Sequence, residues 1–132
     1  MINIEEDVFD YIANSLEKNF PEVTVGDETR TPASFPFVSV VEADNYAYEK
    51  TRDSGGIENH AVLMYEVNVY SNKSVGRKSE CKEIFMFVDK LFSEIGFART
   101  SKGNISMNDA TAYRLIGRYK AVASKEKIIY GG

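Results

Sequence analysis

The chain has 132 residues, 43% of them hydrophobic and 27% charged, with eight Tyr, eight Phe and no Trp, which is one domain's worth of chain with enough apolar mass for a core. Its net charge of −4 argues against a protein that grips nucleic acid through phosphates. The single cysteine, Cys81, excludes an intrachain disulfide and suits a reducing compartment, no apolar run is long enough to span a membrane as a helix, and the acidic start Met-Ile-Asn-Ile-Glu-Glu-Asp predicts no signal peptide.

From Asn3 to Asn19, Ile4, Val8, Tyr11, Ile12 and Leu16 recur at helical spacing, with Glu5, Glu6 and Asp7 at the end where a helix dipole favours anions. Pro21 ends this predicted helix. Glu22 to Asp27 reads as a short strand and Thr29 to Ser34 as a loop. Phe35 to Ala43 is a mostly apolar strand with Pro36 at its entrance. Asp44 to Asn59 is polar and turns at Gly55-Gly56; sixteen residues is long for a hairpin connection, so it reads as a protruding β-arm or a loop. Tyr46 and Tyr48 alternate there, followed by Lys50 and Arg52.

His60 to Tyr70 is the central strand, with Ala61, Leu63, Tyr65, Val67 and Val69 on one face. A second helix is predicted from Lys78 to Ile95, since Cys81, Ile84, Phe85, Val88, Leu91, Phe92 and Ile95 form one stripe and Gly96 is placed for a left-handed cap. Phe97 to Thr100 and Asn104 to Met107 flank Ser101-Lys102-Gly103 as a short hairpin. A long strand runs from Ala110 to about Ser124, and Lys127 to Tyr130 continues it or pairs beside it. The order α-β-β-β-α-β-β predicts an α+β fold, mostly antiparallel, with both helices on one sheet face.

Asp109 to Ala123 reads D-A-T-A-Y-R-L-I-G-R-Y-K-A-V-A. Tyr113, Leu115, Gly117, Tyr119 and Ala121 share one parity; Arg114, Ile116, Arg118, Lys120 and Val122 share the other. One face packs and the other is largely cationic. Two accounts of the cations stand together: cross-strand pairing with Glu66 or Glu42, or contact with another subunit, where arginine is enriched.

Catalytic groups are sparse. One His and one Cys assemble no metal cluster, and no metal or cofactor is expected. Cys81 lies on an apolar stripe and reads as a structural thiol. His60 reads as a surface residue at a strand entrance, without a partner nucleophile. Ser54-Gly55-Gly56 lacks the residues of a P-loop, and the turn before the second helix, around Gly76, reads as an ordinary helix start. The chain is therefore not expected to be an enzyme. A small ligand-binding domain or enzyme centred on His60 is the minor alternative, and a DNA-binding stripe is weaker still.

Several stretches in this order, P-F-V-S-V-V-E-A-D-N before a long polar loop, V-N-V-Y-S, a helix ending E-I-G-F and the closing D-A-T-A-Y-R-L-I-G-R-Y-K-A, resemble the tail terminator (tail completion) proteins of long-tailed phages and prophages, the lambda terminator-like group. The resemblance spans nearly the whole chain and rests on strand patterns rather than catalytic signatures. It implies a virion structural protein that forms a ring, commonly of six subunits, on the end of the tail tube. The ring stops tube polymerisation and faces the head-tail connector. Its partners would be itself, the tube protein and the connector, with DNA only passing through the lumen and no membrane; it would reside in the tail, or in a phage-tail-like particle, after assembly in the host cytoplasm. A head-tail adaptor or a tube component is the alternative within the same class. On this reading Tyr46, Tyr48, Lys50 and Arg52 on the arm, and Arg114, Arg118 and Lys120 on the closing strand, are the candidate contacts.

Overall fold

The computed structural model describes residues 1–27, 32, 34–48, 59–104 and 111–131. Helix α1 spans Glu5–Asn19 and buries Val8, Ile12 and Leu16, spaced four apart on one face. Tyr11, expected in the same stripe, sits at its rim and is 36% exposed. The Phe20 N–H donates to the Leu16 carbonyl, and Pro21 follows directly.

Strands β1 (Thr24–Gly26), β2 (Phe37–Ala47) and β3 (His60–Ser71) precede helix α2 (Arg77–Glu94); β4 (Ala98–Asn104), β5 (Tyr113–Ser124) and β6 (Ile129–Gly131) follow it. The fold is α+β. The six strands form one sheet in the order β1-β2-β3-β5-β4, with β6 against the far end of β5. β1 runs parallel to β2; every other pairing is antiparallel.

Two boundaries differ from the sequence expectation. β2 continues through Asp44 to Ala47, because a bulge between Glu42 and Asp44 lets the polar stretch keep pairing with β3. The hairpin expected at Ser101 to Gly103 does not form: Ala98 to Asn104 is one exposed strand, bulged between Arg99 and Ser101, whose hydrogen bonds go to β5. Of the two readings left open for Lys127 to Tyr130, pairing beside the closing strand is the one found, as β6 against β5.

The core lies between the helices and one parity of the sheet. Ala61, Leu63, Tyr65, Val67 and Val69 of β3 face this layer, alongside Leu115, Gly117, Tyr119 and Ala121 of β5. α2 crosses β3 and β5, and α1 lies beside it against β2. Gly117 permits this approach, since a Cβ there would stand 2.5 Å from Phe85 Cζ. α2 ends at the glycine expected: Gly96 has φ +94°, its N–H donates to the Ser93 carbonyl and the Phe97 N–H to the Phe92 carbonyl. The Phe92 and Phe97 rings meet edge to face at 5.4 Å, the apolar clasp that accompanies this cap. Tyr119 stacks on the other side of Phe92 at 4.5 Å.

Candidate functional site: the open face of the sheet

Alternation sends every second residue of β2, β3 and β5 to the face opposite the helices. Register sorts these residues into rows across the strands. The first row is Phe37, Tyr70 and Arg114. Arg114 donates from Nε to Asn68 Oδ1 at 2.9 Å, and its guanidinium lies 5.3 Å over the Tyr70 ring, which meets Phe37 at 6.0 Å. Asn68 is fully buried and donates to Ser39 Oγ at 3.2 Å, so the end of this face is a tied polar network.

Arg118 stands opposite Glu66 and pairs with it at 3.1 Å. The cross-strand account is therefore correct for this pair, and Glu66 is the partner. Glu42 is not: its parity is that of Val38 and Val40, so it faces the helix layer opposite Tyr65. Lys120 lies opposite Met64 and forms no ion pair among the described residues. Three cations thus line up on β5 against one directly opposed carboxylate.

The last row crosses four strands as Tyr46, Val62, Val122 and Tyr130. Tyr46 is 46% and Tyr130 47% exposed, with the nearly buried Val62 between them. Tyr46, assigned to the arm from sequence, is a sheet residue here; the Tyr48 N–H still bonds to the His60 carbonyl at 2.8 Å. Lys50 and Arg52, with the rest of the arm, lie outside the described residues. Tyr130 was not singled out in the sequence, and its only signal was the apolar run Ile128-Ile129-Tyr130 after a polar turn.

His60 is half-buried rather than a plain surface residue: its ring is 5.8 Å from Tyr130, and its Nδ1 is buried without a hydrogen bond. Cys81 is buried as expected, its Sγ within 3.4 Å of the Tyr113 carbonyl, and burial pushes its thiol up to about 12. At neutral pH it is no nucleophile.

The face opposite the helices therefore offers the half-exposed Tyr46 and Tyr130 at one end, a largely buried arginine network at the other, and between them a lysine that forms no ion pair among the described residues. Tyr and Arg are the residue types that protein interfaces concentrate. No protein-family model matches this chain, and no curated protein shows significant similarity to it.

Proposed function

We propose that this chain is a structural subunit that assembles with further copies of itself into a ring, commonly of six, capping a phage-type tail tube. The ring ends tube growth and presents its far side to the head-tail connector. The observation that carries the reading is the sheet face opposite the helices, where the half-exposed Tyr46, Tyr130 and Arg118 are of the residue types that protein interfaces concentrate. The strand order of the tail terminator resemblance adds to it.

A closing ring needs two different patches that meet around a rotation axis. The open face supplies one, and the edge strand β4, which no described strand pairs on its outer side, lies along its border. An acidic chain builds an acidic ring, so DNA crossing the lumen is not held through its phosphates. In this role the protein belongs to the virion tail and is assembled in the host cytoplasm.

The test is electron microscopy of purified protein mixed with isolated tail tubes, alongside sedimentation of the protein alone. A ring at one end of each tube is expected. Decoration along the tube would make the chain a tube component, and binding to connectors alone an adaptor. A protein that stays monomeric at high concentration and never binds tubes overturns the reading.

A further inference from the structure

The sheet ends in two edges of opposite character. Strand order puts β1 at one side and β4 at the other, with β2, β3 and β5 between them, and no described strand pairs with the outer side of either. β4 is exposed along nearly its whole length. Its outward backbone N–H and C=O groups form a template on which a further strand can pair.

Charge separates along the same direction. β4 and β5 together contain Arg99, Lys102, Arg114, Arg118 and Lys120 and no carboxylate. Residues 1–27, which include α1 and β1, contain seven carboxylates and one lysine. α1 packs against β2, next to β1, whereas α2 packs over β3, β5 and β4. Part of the positive charge is spent within the chain, since Arg99 pairs with Asp89 at 2.9 Å and Arg118 with Glu66 at 3.1 Å. Lys102 is not spent in this way: it lies 5.6 Å over the Phe85 ring and forms no ion pair among the described residues. At the other edge Glu22 and Asp27 flank β1, both exposed and likewise without an ion pair among the described residues.

Strand direction agrees with charge. β1 runs with β2 and β4 runs against it. A copy rotated about an axis along the strands therefore brings its β1 antiparallel to β4, the ladder that is more stable per residue. The symmetric alternative, β4 against β4, would set Lys102 near its own duplicate, and like charges across a strand pair repel.

We propose that the outer edge of β4 receives the outer edge of β1 from a second copy of this chain. The sheet then runs on from subunit to subunit, with Lys102 beside the neighbour's Glu22 and Asp27. The two sides of this contact are different surfaces, as a closing ring requires. The inference rests on the self-assembly proposed above and names its seam. Because β1 is three residues long, few backbone hydrogen bonds cross the seam, and charge sets the choice of partner.

The test is sedimentation of the full chain at low salt, and microscopy with tail tubes, for Lys102→Glu, for Glu22→Lys, for both changes in one chain, and for the two single variants mixed. Each single variant alone should self-associate about tenfold more weakly than the parent, because every seam then opposes like charges. Both positions are exposed, so urea unfolding of each should match the parent. The double variant should associate like the parent. The mixture should too, since each seam in an alternating assembly again joins opposite charges. Unchanged association of Glu22→Lys, or a mixture no stronger than its components, overturns the seam. Rings that persist on tubes in both single variants overturn the seam and leave the ring reading standing. Association that follows this charge pattern without tube capping does the reverse. A parent chain that stays monomeric at every concentration, with tubes and without, overturns both.

Discussion

Glu42 and Tyr65 face one another across β2 and β3, in the helix-side layer of the sheet. Because the folded protein raises the Glu42 carboxyl, the native state holds a proton that the unfolded chain releases as pH climbs past the usual value of 4.5. Stability from this group is complete below that value and is lost as pH rises through the raised one. Glu42→Gln should therefore unfold at higher urea concentration than the parent at pH 7, and at the same concentration near pH 3. A position where the native residue is worse for the fold than its neutral counterpart is a mark of function.

At the scale of elements, two glycines decide how α2 meets the sheet. Gly117 is open where Phe85 presses down, so Gly117→Ala should cost about 1–3 kcal/mol through overpacking, read from urea unfolding. Phe85→Leu in the same chain should recover part of that loss. Gly96→Ala places a side chain in the left-handed region, 3.1 Å from Ile129 Cγ2, and should cost about 1–2 kcal/mol and loosen β6 along with the cap. The helices were legible because Cys81, Ile84, Phe85, Val88, Leu91 and Phe92 repeat with the helical period, which is a local property. The strand ends were not. Asp44 to Ala47 is polar in sequence but pairs with β3, and Ala98 to Asn104 resembles a turn but is held straight by β5; in both cases the partner strand supplies the decisive hydrogen bonds.

At the scale of the whole molecule, the open face carries the predictions about assembly. The Arg118–Glu66 pair is half-exposed on the arginine side, at 51%, so solvent screens it and Arg118→Glu should lower monomer stability by less than about 1 kcal/mol. Tube capping should fall by far more. Reversing both charges, Arg118→Glu with Glu66→Arg, should restore stability but not capping; restoration of both would reduce the pair to a structural role. The arm is tested by replacing residues 49–58 with a short glycine-containing turn, which spares Tyr46 and the Tyr48–His60 hydrogen bond. Unchanged urea unfolding and weakened oligomers by sedimentation are expected.

The sequence by itself determined the two helices, the central and closing strands, and the segregation of Arg114, Arg118 and Lys120 from Tyr113, Leu115 and Tyr119, since period and parity are written in consecutive residues. Only the tertiary structure decided that Glu66 and not Glu42 meets Arg118. It alone placed Tyr130 in one row with Tyr46, and set Tyr65 across the strand pair from the Glu42 carboxylate. Those relations depend on strand order and register, which join residues distant in the chain and leave no mark on either segment alone.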